Sequence, residues 1–462
     1  MGYHLRVTPP EQTAPHARRF DTAAFELLIT ILEAEGTAHA NPTTVEGALT
    51  QRLMQLHAQN GGLGIAGAHP SREAAYIGSL CSCGDTAARL LGSDFDAAAQ
   101  GADAFPELQA LITAGKMEGS GYLEDEKRIH RILKNPRKGV QSSILLLRGS
   151  DEADAIFERV DDVGKRTAFL SGTAEGAHYL YATPNAPALA MTDQLFITAT
   201  RQRLLLPLLN EGLPDTRCPC CGEDNLDDIG CHAYFCREAG KGGLYGMRAF
   251  RHNMVAGAYD QTLRYIGRLS GVGSALTLTR EPLVDGIFTR RPDAIAAPGS
   301  RADLRIQLDA IDVTIDFVVT AANPASHPEA ANKACVAADV AMKRKEAHYR
   351  RNWILSDGHF FPAALEAGGR WHPQFRKFTT KIISRLVTNK PLEDWTKEDK
   401  ATYSRFTQIM LSSVSVALAK AAALSVLRLA RAVRTGPGGL PPAAAEPATA
   451  EEPATAEGEG NG

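Results

Sequence analysis

Five of the chain's eight cysteines lie in one short segment, CPCCGEDNLDDIGCHAYFC, from Cys218 to Cys236. Thiolate and imidazole pairs at short spacing, joined by a loop, are how a chain presents four tetrahedral ligands to zinc. Cys218 and Cys221 form the first pair, with Gly222 free to turn without a Cβ penalty. His232 and Cys236 form the second, and the predicted site is a structural Zn²⁺ knuckle. Cys220 and Cys231 are ambiguous: either can replace a neighbouring ligand, or both are bystanders. A second chemistry follows downstream. Asp293, in Arg291-Pro292-Asp293, and Asp312, on the next strand, are predicted to share a Mg²⁺ ion, a hard cation that takes oxygen ligands. Lys345, on the following helix, would steady the charge that develops on a phosphodiester under attack. By themselves the carboxylates also fit a turn residue and an ordinary solvent-facing one.

The 462 residues imply two to four domains, and 44% apolar content is ample for packed cores. The N-terminus shows no basic stretch leading into an apolar one, and no charge-free apolar run reaches 18 residues. A reducing, intracellular compartment is therefore expected, which favours metal over disulfide for the cysteine cluster. The net charge of −3 conceals an asymmetry. Residues 237–435 hold 30 Lys and Arg against 18 Asp and Glu, whereas residues 436–462 hold five Glu and no base. So basic a segment is the footprint of a polyanion-binding surface, nucleic acid above all, with a solvated basic face as the plainer alternative.

Apolar spacing predicts a helix from Asp21 or Thr22 through Leu32, after an irregular start over residues 1–16, and a second helix opened by Asn41-Pro42-Thr43. Gly61-Gly62-Leu63-Gly64 reads as a turn, since the Lys-Ser/Thr of a phosphate loop is missing. Short helices are expected over 70–215, the last from Thr192 to Asn210. Beyond the knuckle, a helix from Arg251 gives way to strands at 275–279, 292–296, 304–306 and 310–319. A helix over 328–352 follows, and the order implies a small α/β domain with a mixed sheet. Arg370, Arg376, Lys377, Lys381 and Arg385, interleaved with Trp371, Phe375 and Phe378, fit a strand-tracking surface or a solvated helix face. Residues 403–433 form one long apolar helix, read as a core or partner helix rather than a membrane span. The Pro-Ala-Thr-Ala-Glu repeats of 436–462 predict a disordered acidic tail.

The order of these parts resembles a known arrangement. A CCHC cluster, Arg251-His252-Asn253, Arg291-Pro292-Asp293, Ile311-Asp312-Val313-Thr314-Ile315 and Lys345-Glu346-Ala347-His348-Tyr349 are similar, in that order, to the C-terminal region of site-specific non-LTR retrotransposon polyproteins. In that family a restriction-like endonuclease lies downstream of the reverse transcriptase. The resemblance implies a PD-(D/E)xK-type nuclease domain whose lysine has moved from the strand to the following helix, which accounts for Thr314 and selects Lys345 over Lys333 and Lys343. It implies an α+β multi-domain chain: a thumb-like helical segment (1–60), an α-helical linker (61–215), the knuckle (216–252), the endonuclease (253–390), a helical region (391–435) and the tail (436–462). Its implied function is a Mg-dependent DNA endonuclease fragment that nicks target DNA and leaves a 3′ hydroxyl for priming reverse transcription. Asp293, Asp312 and Lys345 would be catalytic; Arg251, His252, Arg291, Lys377 and Lys381 would contact nucleic acid. The partners would be DNA and, as a further candidate, the element's RNA, in the nucleus and away from any membrane. The alternative is a non-catalytic, zinc-containing nucleic-acid binder. A reverse transcriptase needs a Tyr- or Phe-x-Asp-Asp turn. Asp227-Asp228 falls in the zinc loop and Asp161-Asp162 follows a charged helical stretch, so polymerase activity is not expected.

Overall fold

A computed structural model describes residues 2–79 (without 9, 73 and 77), 140–208, 217–236 (without 220 and 223–225), 245–270 and 275–435 (without 357). The expected acidic tail, Cys220, Cys81 and Cys83 lie outside the described residues.

Helices α1 (Gly2–Val7) and α2 (Pro10–Ile31) occupy the stretch expected to be irregular. Asp21 does not open a helix: it is buried within α2, and its carboxylate accepts the backbone N–H groups of Ala68 and His69. Helix α3 (Val45–Gln55) starts at Thr44, whose hydroxyl accepts the Gly47 N–H. These elements pack with α4 (Val140–Arg159) and α5 (Val163–Ser171), around a core that includes Phe25, Leu53, Ile156 and Phe169. Helix α6 (Asp193–Arg203) stops sooner than the apolar spacing predicted. Its last residue is buried and donates to the carbonyls of Ala58, Gly62 and Gly172, and Leu204–Leu206 then enter the core as irregular chain.

Helix α7 (Tyr245–Leu269) leads into the sheet. Strands β1 (Leu276–Arg280), β3 (Leu304–Leu308) and β4 (Ile311–Thr320) pair antiparallel, and β6 (Phe360–Glu366) joins β4 in parallel. The order is β1-β3-β4-β6. The parallel pair requires a crossover, supplied by α8 (Val336–Asn352). A two-residue ribbon joins β2 (Thr289–Arg290) to β5 (Trp353–Ile354). The strand expected over 292–296 does not form. Those residues are a loop whose Ile295 and Ala296 N–H groups both donate to the Asn352 side chain, so side-chain acceptors replace a ladder.

Side chains alternate across β4 and divide its two faces. Val313, Ile315 and Phe317 enter the main core with Tyr259 of α7, with Phe375 and Ile383 of α9 (Pro373–Val387), and with Met410 and Val414 of α10 (Lys397–Thr435). On the other face, Val318 packs with Ala338 and Met342 of α8. Helix α10 is long and apolar enough to cross a membrane, but 72% of its most apolar window is buried among α6, α7, α9, the 174–181 turn and the zinc segment. It is the spine against which both halves of the molecule pack.

The helical half also meets the sheet half backbone to backbone. Gly369 has φ +111°, and a Cβ there would stand 2.5 Å from the Gly176 Cα. Gly369→Ala is expected to lower unfolding free energy by about 1–3 kcal/mol, whereas Gly286→Ala, with nothing within 4 Å of its Cβ position, should change it by less than about 0.5 kcal/mol. Paired urea titrations measure both; equal effects would refute the close approach.

Candidate functional site

Among the described residues two groups of side chains could each hold a metal ion. In the first, Cys218, Cys221, His232 and Cys236 direct Sγ and Nε2 atoms that all lie within 4.8 Å of one another. A tetrahedron with Zn–S bonds near 2.3 Å has S–S edges of about 3.8 Å; Cys218 Sγ and Cys236 Sγ are 3.8 Å apart, and Cys221 Sγ lies 3.3 Å from His232 Nε2. The donor set and its spacing fit, and this Cys₃His group can hold a metal such as zinc. Without an ion the crowded thiols oppose ionisation: the Cys218 hydrogen bond and burial hold the Cys236 thiol well above its ordinary value. Cys231 is turned away, with its sulfur 3.7 Å from the Gln202 amide, so it is a bystander.

Local chemistry shapes the knuckle. Gly222 and Gly230 take left-handed conformations, and the Gly222 N–H donates to the Cys218 carbonyl. The Asp227 carboxylate accepts the N–H groups of Cys231 and His232, fixing the short 3₁₀ turn Cys231–Tyr234 that aims His232.

The second group contains neither of the predicted acids. His252, Asp303 and Asp316 gather their ligand atoms within 4.8 Å. His252 Nε2 is 3.0 Å from Asp303 Oδ2, and Lys345 Nζ is 2.6 Å from Asp316 Oδ2. Asp303 sits just before β3, and its carboxylate also accepts the Phe317 N–H. Asp316 is a buried residue in the middle of β4, 7% exposed. Burial pushes Asp316 up to about 6, against the pull of Lys345. Burial opposes ionisation of Asp303 too, but the His252 and Asp316 hydrogen bonds outweigh it and hold Asp303 below the usual carboxylate range. His252 is raised, because Asp303 overcomes its burial.

This group floors a cleft of about 1050 Å³ walled by α7, α8 and the loops at 300–303 and 321–327. Among the described residues Asp303 and Asp316 are its only carboxylates, whereas Arg248, Arg251, Arg301, Arg344 and Lys345 line it. The described carboxylates thus sit at the floor, where Lys345 meets them, and the arginines line the walls.

Of the three residues expected to be catalytic, only Lys345 reaches the cleft. Asp312 shares a strand face with Asp316 but lies four residues, roughly 13 Å, along it. There it is clamped by Arg305 Nε and Nη2 at 2.8 and 2.6 Å, an ordinary surface pair. Asp293 is exposed on the loop pinned to Asn352, two helical turns or about 10 Å beyond Lys345. Arg291 belongs to that loop, and its guanidinium donates to the Arg350 carbonyl. Arg251 lies at the cleft lining but is 2% exposed, and its guanidinium donates to Ser425 Oγ and to the Tyr234 carbonyl. His252 does line the cleft. Lys377 and Lys381 are exposed on α9, across the sheet from it. The sequence contains one signal for the missed pair. Asp316 is a carboxylate in the middle of an apolar, β-branched strand, where burying a charge costs free energy unless a partner meets it.

Neither a scan of protein-family models nor a search of curated proteins finds a match to this chain. Purified protein should bind one Zn²⁺ per chain through the Cys₃His group, as measured by a chromogenic chelator after thiol modification. Cys231→Ser should retain that zinc and Cys236→Ser should lose it; zinc loss in the Cys231 variant would overturn the ligand assignment.

Proposed function

We propose that the chain is a metal-dependent phosphodiester hydrolase acting on nucleic acid, with Asp303, Asp316 and Lys345 as its catalytic residues. The observation that carries this reading is the Asp303–Asp316–Lys345 cluster at the floor of a cleft walled by arginines. A divalent cation such as Mg²⁺, held by the two carboxylates, would polarise a phosphodiester and lower the pKa of a bound water.

The protein's own groups then have distinct tasks. Asp316 and Asp303 supply oxygen ligands from two neighbouring backbone segments, held in register by the Asp303 N–H to Ile315 carbonyl bond. Lys345 neutralises Asp316 in the resting site and, 2.6 Å from it, stands where it can orient water or meet charge developing on a phosphate oxygen. His252 either completes the ligand set or holds Asp303 in place through its 3.0 Å contact. Arg301 and Arg344 would receive the flanking phosphates as charge-assisted partners.

The lysine supplied by the helix between two parallel strands is the feature that the resemblance to restriction-like endonucleases of non-LTR retrotransposons anticipates. With Asp303 and Asp316 in the acidic roles, that resemblance supports DNA as the substrate and single-strand nicking as the outcome. The zinc knuckle, joined to the cleft wall through Tyr234 and Phe235, would then form one bank of the DNA-binding surface.

The test is nicking of supercoiled plasmid in Mg²⁺. Asp303→Ala, Asp316→Ala and Lys345→Ala should each slow nicking by on the order of 100-fold or more, while Asp293→Ala and Asp312→Ala stay within about twofold. Loss of activity in the Asp312 variant with retention in the Asp316 variant would reverse the assignment. Plasmid binding without any nicking by the unmutated chain would leave a non-catalytic nucleic-acid binder.

A further inference from the structure

The far side of the sheet carries a groove that shares no lining residue with the acidic cleft. It runs between α9 and the 388–403 segment, with a volume of about 1130 Å³. Its cations are Lys377, Lys381 and Arg385 on α9, facing Lys390 and Lys400. The three on α9 recur every fourth residue, so they rise about 6 Å per step along one helix face, a spacing comparable to that of phosphates on an extended strand. None of these three forms an ion pair among the described residues, and no carboxylate lines the groove. Acids do occur nearby, at Glu393, Asp394, Glu398 and Asp399. Asp399 is turned inward: it accepts the Thr396 N–H and lies 3.8 Å from Lys390.

Cations alone would describe any basic surface. Here they alternate with aromatic rings. Phe378 stacks on Phe361 at 4.4 Å and 14°, and both rings stay half-buried rather than sealed in the core. Across the groove the half-buried Tyr403 is backed edge to face at 5.3 Å by Trp395, which is itself buried with its indole N–H fixed on the Lys390 carbonyl. The sequence-level expectation of a strand-tracking face is thereby sharpened. Trp371 and Phe375 are core residues, and Arg370 and Arg376 are tied to Thr173 and Glu175 of the helical half. What remains open to a ligand is the outer line of α9 and the wall opposite it.

We propose that this groove binds single-stranded nucleic acid, its phosphates on the lysine and arginine line and its bases against the Phe361/Phe378 and Tyr403 walls. Ring faces reward bases only when these are unstacked, so this chemistry selects a single strand over a duplex. The inference does not depend on the cleft being a nuclease, and its test leaves the cleft out.

Fluorescence anisotropy with a labelled oligothymidylate of about twenty nucleotides, in buffer with no added Mg²⁺ and no chelator, reads the groove directly. The double variant Lys377→Gln/Lys381→Gln, altering two exposed side chains, should bind at least fivefold more weakly, and its log K against log salt slope should be shallower by about 1.4, or 0.7 per lost phosphate contact. Phe378→Leu, which keeps an apolar filler, should weaken oligothymidylate binding about fivefold and leave an abasic strand of equal length unaffected. The proposal is overturned if the double variant binds like the unmutated chain, if a hairpin duplex binds as tightly as the single strand, or if polyglutamate competes equally well. Because no Mg²⁺ is added and binding rather than cleavage is read, none of these results depends on whether Asp303 and Asp316 cut.

Discussion

The buried Arg251 guanidinium fastens the zinc segment to the helix that builds the cleft. It donates to the Tyr234 carbonyl at the end of the knuckle's 3₁₀ turn and to Ser425 on α10, and it lies 5.4 Å from the Tyr234 ring centre. Among the described residues no carboxylate pairs with it, and burial pulls its pKa down to about 10, still well above neutral. A buried charge met only by a carbonyl, a hydroxyl and a ring is costly unless all three are in place. The knuckle, α7 and α10 therefore keep one mutual arrangement. His252, the next residue on α7, inherits that placement and meets Asp303 from the same helix.

Desolvation organises the acidic cleft in a related way. Asp303 and Asp316 lie close enough to share a proton in the metal-free site, and Lys345 and His252 meet them from two different helices. Carboxylates that close repel when both are ionised. Lys345 on Asp316 and His252 on Asp303 offset that repulsion. Asp312, fully compensated by Arg305 at the surface, has no such demand.

The two faces of the sheet separate two kinds of chemistry. The face under α8 is left partly uncovered and presents carboxylates to the Arg-lined cleft. The opposite face is sealed by α7, α9 and α10, and only the outer surface of α9 remains available. The cleft and the groove therefore open on opposite faces of the sheet and share no lining residue.

Much of this was legible in the residues. The metal-binding character of the cysteine cluster follows from spacing, because so many thiols and a histidine within nineteen residues have few other uses, and Cys218, Cys221, His232 and Cys236 do converge. Three of the four principal strands, the long C-terminal helix and the position of Lys345 on a helix were also readable, since apolar periodicity and β-branching are local properties. The choice between Asp312 and Asp316 was not: they share a strand face, and only depth in the sheet distinguishes a solvated carboxylate from a buried one. Asp303 joins the site because the antiparallel register sets it beside Ile315 and Phe317. Arg251 leaves the surface because α10, more than 170 residues away in the chain, covers it. Sequence fixes which chemistry a side chain offers, but burial and partners come from segments distant in the chain, and these decide whether that chemistry is spent on structure or left facing a ligand.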